Sequence, residues 1–160
     1  MNIYIVRHGD AEKSSLSKKD SQRELTIKGK VNLNKAANGW KNLISHVDHI
    51  VSSPYLRAKQ TAEIIARNLG FEGNIILNEK LKSGSSTEDL VMLANSLSGE
   101  DIIFIGHEPD CSEHLSKLIS SSEIFVNFQK GMIAKVSFNN RVRKGKGMLE
   151  FVIPVKLFDK

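Results

Sequence analysis

A chain of 160 residues, 40% hydrophobic and 26% charged, is sized for a single domain over residues 1–160 and needs neither disulfide nor metal to build a core. Its 23 lysines and arginines against 18 acids leave a net charge of +5, and its one cysteine, Cys111, excludes an internal disulfide and points to a reducing compartment. No run approaches the length of a membrane-spanning helix, and the amino terminus lacks the charged, apolar and small-residue regions of a secretory leader, so a soluble cytoplasmic protein is expected.

In chain order, Asn2 to Val6 (NIYIV) is short, β-branched and nearly continuous, the pattern of a buried strand. From Thr26, apolar residues at Val31, Leu33, Ala36, Ala37, Trp40, Leu43 and Ile44 mostly share one helical face. His49 to Ser52 is a second strand. Ser53-Pro54 predicts a helix start, with serine as the N-cap and proline in the first turn, and Gly70 closes that helix after Leu69. Asn74 to Leu77 is a third strand. Ser85 to Asp89 supplies a cap and first-turn acids for a helix through Leu97. Asp101 to Ile105 (DIIFI) is a fourth strand, followed by a helix from Asp110 to Ile119. Glu123 to Phe128, Gly131 to Phe138 and Met148 to Val155 read as strands, the last two joined by a basic turn from Asn139 to Gly147.

Alternating strands and helices imply right-handed crossovers. The expected class is α/β: a three-layer α/β/α arrangement around a mainly parallel central sheet, with an antiparallel edge from the last hairpin.

In such a sheet ligands bind beyond the carboxyl ends of the strands. Arg7-His8-Gly9 follows the first strand, Ser52-Ser53-Pro54 with Arg57 the second, Asn78-Glu79 the third and Gly106-His107-Glu108-Pro109 the fourth. Arg7, Arg57, His8, His107 and Glu79 thus meet on one rim. Guanidinium forks match phosphate oxygens, helix N-termini add donors, and histidine offers a nucleophilic nitrogen near neutral pH.

The segments "RHG", "SSPYLRAKQTA" and "IGHEP", each at a strand end and in this order, resemble the histidine phosphatase superfamily, which also contains the cofactor-dependent phosphoglycerate mutases. "RHGDAE" followed by "DSQRELTIKG" is most similar to the SixA-type phosphohistidine phosphatases, and the chain lacks the long insertions of the mutases. The resemblance implies a phosphoglycerate mutase-like fold with no metal and no cofactor. It implies that His8 attacks phosphorus and that Arg7, Arg57 and His107 hold the phosphoryl oxygens. Arg23 would be a further cation near the phosphate, with Asp20 ordering its loop. Glu79 stands where many relatives keep a general acid; it divides evenly between that role and a solvated carboxylate. The implied substrate is phosphohistidine on a protein, such as a histidine phosphotransfer domain, turned over by a monomer with no nucleic-acid or membrane partner.

Two other readings stay open. One is a general small-molecule phosphomonoesterase, or less favourably a mutase, of the same superfamily. The other is a non-enzymatic basic module for phosphate or nucleic acid, resting on the +5 charge and the cluster Arg141 to Lys146. No aromatic-rich stretch accompanies that cluster, and it reads as a solvated surface, as does Lys18-Lys19. His46, His49 and His114 read as structural and Cys111 as a small hydrophobe. The spacing of His107, Cys111 and His114 matches no common zinc pattern.

Overall fold

The computed structural model describes residues 1–158. Six strands form one sheet: β1 (Asn2–Arg7), β2 (His49–Ser52), β3 (Ile76–Leu77), β4 (Asp101–Gly106), β5 (Ile133–Ser137) and β6 (Met148–Ile153), in the order β3-β2-β4-β1-β5-β6. The pairs β1–β4, β4–β2 and β2–β3 are parallel; β1–β5 and β5–β6 are antiparallel. Four helices cover it: α1 (Ile27–Trp40), α2 (Leu56–Leu69), α3 (Thr87–Ser96) and α4 (Asp110–Ile119). This is the α/β class expected, with the antiparallel edge supplied by the last hairpin.

The strands alternate as a sheet buried on both faces must. Tyr4 and Val6 of β1 pack with Leu33, Ala36 and Trp40 of α1 and Ala58, Ala62 and Ile65 of α2. Ile3 and Ile5 point the other way, toward Leu90 of α3 and Cys111, Leu115 and Leu118 of α4. Cys111 is thus a core hydrophobe, and burial pushes its thiol pKa up.

Local signals explain most boundaries. Thr26 caps α1 by accepting from the Gly29 N–H at 2.9 Å. Gly29 itself is required: a Cβ there would collide with the backbone carbonyl of Asp10. Gly70 ends α2 in the left-handed conformation, at φ 68°, as its type suggests. Ser86 caps α3 through the Asp89 N–H at 3.1 Å.

Four expectations change. Residues 123–128 are not a strand. β5 already takes the free edge of β1, so this segment is strapped along α4: Ser116 Oγ accepts from the Ile124 N–H (2.8 Å) and the Val126 carbonyl accepts from Ser112 Oγ (3.0 Å). The third strand shrinks to Ile76–Leu77. Helix α2 begins at Leu56, not at Ser53-Pro54, because Ser53 is drawn into another contact described below. Helix α1 stops at Trp40; Leu43 is 46% exposed and Ile44 reaches the core from the following turn.

Candidate active site

Sheet register assembles the site. Arg7 lies beside Gly106, and Ser52 beside Ile105. The next residues continue this alignment: the His8 N–H donates to the Gly106 carbonyl (3.1 Å) and the Ser53 N–H to the Ile105 carbonyl (3.0 Å). Residues 7–8, 52–53 and 106–107 are therefore neighbours at the carboxyl ends of three adjacent strands. Arg57 enters from the first turn of α2.

Four predicted side chains come together there. His8, Arg57 and His107 are 7%, 3% and 2% exposed. Arg57 Nε donates to His8 Nε2 at 3.2 Å, and Arg57 Nη2 lies 3.4 Å from His107 Nδ1. The imidazole centroids are 5.3 Å apart. Arg7 Nη1 donates to the Phe128 carbonyl at 2.8 Å, which anchors its guanidinium, while its Nε is buried with no acceptor among the described residues. A buried orphan donor is costly and calls for an acceptor.

His8 has a defined tautomer. Its Nδ1 is 2.8 Å from the Gly9 carbonyl, which can only accept, so Nδ1 carries the proton and Nε2 the lone pair. Burial, together with the positive charges of Arg57 and Arg7, lowers its pKa to about 3 against the Gly9 contact that raises it. His107 is lowered to about 4, by burial first and by Arg57 next, with Asp20 opposing. Both rings are neutral at pH 7, so one offers an uncharged nucleophilic nitrogen.

Thr61 ties two elements of the site together. Its hydroxyl donates to the Arg57 carbonyl (2.7 Å) and accepts from the Gly9 N–H (3.1 Å), fixing the end of β1 against α2. His107 is held by Ser53 Oγ, 2.8 Å from its Nε2, and its carbonyl accepts from the Cys111 N–H at 2.9 Å in the first turn of α4. The Tyr55 ring lies 5.0 Å from both the His107 centroid and the Arg57 guanidinium carbon. Sequence reasoning did not single out Ser53, Tyr55 or Thr61 for the site. For Thr61 the signal was there in spacing: it stands four residues after Arg57 in α2, and i,i+4 neighbours share a helix face. Ser53 and Tyr55 precede the helix, where no such spacing applies.

Arg23 joins the cluster only through Asp20. The Asp20 carboxylate takes Arg23 Nε and Nη2 at 2.8 and 2.7 Å on one oxygen and Arg57 Nη2 at 3.1 Å on the other, and its carbonyl accepts from Arg57 Nη1 at 2.7 Å. Burial would raise its pKa, but the two guanidiniums outweigh this and lower it. Glu79 stands apart: it pairs with Lys82, and its side chain is 73% exposed. Among the described residues no group of His, Cys, Asp and Glu is placed to hold a metal ion; His114 instead bonds Ser85 Oγ (3.0 Å) and Thr87 Oγ1 (2.9 Å). No described helix is long and apolar enough to cross a membrane.

A buried cationic fork beside two neutral imidazoles, at the carboxyl ends of parallel strands, is an arrangement suited to phosphoryl transfer. Comparison with known proteins agrees. The family model of the histidine phosphatase superfamily (branch 1) matches residues 3–83. An uncharacterised protein of Picosynechococcus is 34% identical over 116 residues, 71% of this chain and 70% of its own. Phosphohistidine phosphatase SixA of Escherichia coli K12 is 40% identical over 63 residues, 39% of this chain and 38% of that protein. The solved structure of the protein histidine phosphatase SixA complexed with tungstate superposes with a TM-score of 0.84 at 25% identity, covering 98% of this chain and 99% of the other. The chain belongs to the histidine phosphatase superfamily and is a phosphatase of the SixA type.

Proposed function

We propose that this phosphatase hydrolyses phosphohistidine carried by a protein, such as a histidine phosphotransfer domain, through a covalent intermediate on His8. The single observation behind this is the His8 ring: a proton fixed on Nδ1 by Gly9 and a lone pair on Nε2 facing the Arg57 guanidinium.

In the first step His8 Nε2 forms a bond to phosphorus. The substrate P–N bond breaks, and its electron pair returns to the substrate imidazole, which leaves neutral with the proton on its other nitrogen. In the second step water attacks phosphorus, the electron pair of the new P–N bond returns to His8 Nε2, and the water protons pass to phosphate and solvent. Arg57 and Arg7 bind the phosphoryl oxygens, and His107 donates to them. Prepositioned donors of this kind carry most of the catalysis, because a loose phosphoryl transition state asks little covalent help.

An imidazole leaving group needs no strong acid, which suits the exposed, lysine-paired Glu79. The match to proteins named as phosphohistidine phosphatases supports the same substrate. The experiment is phosphate release from a phosphohistidine-bearing protein and from small phosphomonoesters, wild type against His8→Ala. Turnover of the phosphoprotein that disappears in the variant is expected; preference for small monoesters would replace this reading with the phosphomonoesterase.

A further inference from the structure

His107 has two ring nitrogens in different company. Nδ1 faces the Arg57 fork at 3.4 Å, and Nε2 faces Ser53 Oγ at 2.8 Å. Which of them carries the proton decides whether His107 can donate to a phosphoryl oxygen while neutral.

Ser53 answers that question by hydrogen-bond accounting. A hydroxyl has one proton to give and two lone pairs. Ser53 is fully buried, and its oxygen has two polar neighbours among the described residues. One is the Tyr55 N–H at 3.3 Å, which can only donate. The other is His107 Nε2. If Nε2 bore a proton, the hydroxyl would face two donors, and its own proton would be buried with no acceptor, a costly arrangement. If Nε2 bears the lone pair, the hydroxyl accepts from Tyr55 and donates to His107, both contacts of Ser53 are satisfied, and the Nδ1 proton is left for a phosphoryl oxygen. The competing demand, an Arg57 N–H seeking a lone pair on Nδ1, is weaker: that contact is long, and Arg57 Nη2 has a charged acceptor in Asp20 at 3.1 Å.

We propose that Ser53 is a positioning residue that fixes His107 as its Nδ1–H tautomer, so that a neutral imidazole donates into the phosphoryl site. The two histidines then hold the same Nδ1–H tautomer but turn opposite nitrogens toward one guanidinium. His8 presents a lone pair from Nε2, because the Gly9 carbonyl holds its Nδ1 proton; His107 presents an N–H from Nδ1, because Ser53 fills its Nε2. One attacks and the other donates, and neither need ionise. The depressed pKa of His107 agrees, since an imidazolium would donate from both nitrogens and need no tautomer control. The role assigned to the donor rests on the phosphoryl-transfer reading above; the tautomer itself does not.

The test is nitrogen-15 NMR of the imidazoles in the intact wild-type protein at pH 7.5, with and without inorganic phosphate. The expected result is a protonated, pyrrole-like Nδ1 and a pyridine-like Nε2 for His107, with the Nδ1 signal moving when phosphate is added. His8 supplies the same Nδ1-protonated pattern, and its Nε2 is the one perturbed. Ser53→Ala should release the His107 tautomer and lower kcat by roughly ten- to a hundredfold with a smaller change in KM, the scale of a lost transition-state donor, and Ser53→Thr should restore both. A protonated Nε2 on wild-type His107, or an imidazolium at pH 7.5, overturns the proposal even if Ser53→Ala does not fold. Loss of turnover in His8→Ala tests the phosphoryl-transfer reading separately, so the two can fail independently.

Discussion

The floor of the site and its rim are built by different physics. The floor, with His8, Arg57 and His107, sits on strand ends and a helix first turn; its side chains are at most 7% exposed and each makes a geometrically defined hydrogen bond. The rim, with Asp20, Arg23, Glu79 and Lys82, sits on the connecting turns, and its ion pairs join partly or largely exposed groups, except where Asp20 reaches the buried Arg57. Buried, directional bonds between rigid elements hold a geometry to within the tolerance that catalysis needs, whereas exposed ion pairs contribute about 1 kcal/mol or less and are easily exchanged. Chemistry is therefore expected to depend on the floor, and substrate preference on the rim.

The sharpest way to break this contrast is Arg57→Ala. It removes the guanidinium shared by both histidines, and turnover should fall at least about a hundredfold, the cost of losing a preorganised charged donor. Arg57→Lys should recover little, because a point charge cannot reach His8, Asp20 and a phosphoryl oxygen as a planar fork does. Steady-state kinetics on a phosphohistidine protein checks both.

The floor should also show itself in stability against pH. His8 and His107 have folded pKa values of about 3 and 4, and His114 is lowered as well, chiefly by burial, against an ordinary value of 6.5. Above pH 6.5 folded and unfolded chains are both neutral at these sites, so stability is full. As pH falls below 6.5 the unfolded chain takes up protons that the folded one refuses, and stability declines progressively down to the folded values. Thermal unfolding between pH 7 and pH 4.5 should show a midpoint lower by on the order of 5 °C or more at the acid end. A flat profile would mean that the buried rings are protonated in the folded state.

Rim substitutions should be gentler. Asp20 occupies the Arg57 fork proposed to bind phosphate, so Asp20→Asn, which keeps the carbonyl contact to Arg57, should strengthen inhibition by inorganic phosphate severalfold and change kcat less. Competition assays check it; weaker inhibition would show that Asp20 organises the fork instead of competing for it. Smallest of all is Glu79→Gln: less than a twofold change on phosphohistidine is expected, set against lost turnover of phosphomonoesters if Glu79 serves as their acid. Comparing the two substrates on one variant decides its role.

The same division explains what could be read from the chain. The alternation of apolar runs with amphipathic ones carries the α/β layering, because a strand buried on both faces needs continuous β-branched residues and a covering helix needs one apolar face. Arg7, His8, Arg57 and His107 were legible because each lies within a residue or two of a strand end or a helix start, where topology alone brings them together. Contacts decided by the tertiary structure were not. The sequence of residues 123–128 has strand-like composition, but β5 claims the only open edge of β1 and α4 offers hydroxyls to its backbone. Ser53 has the type and setting of an N-cap, yet its hydroxyl is spent on His107 and the helix starts three residues later. The link from Arg23 through Asp20 to Arg57 rests on a contact between residues 37 apart in sequence and follows from how the loop folds back.

The proposed reaction requires that His8 become phosphorylated. Mixing excess phosphohistidine protein with enzyme, quenching in alkali within the first turnover and mapping the chain by mass spectrometry tests it most directly. The prediction is an alkali-stable, acid-labile phosphoryl group on His8 in the wild type, absent from His8→Ala along with turnover. Phosphate release by His8→Ala at the wild-type rate, with no phosphoryl group on the chain, would contradict it.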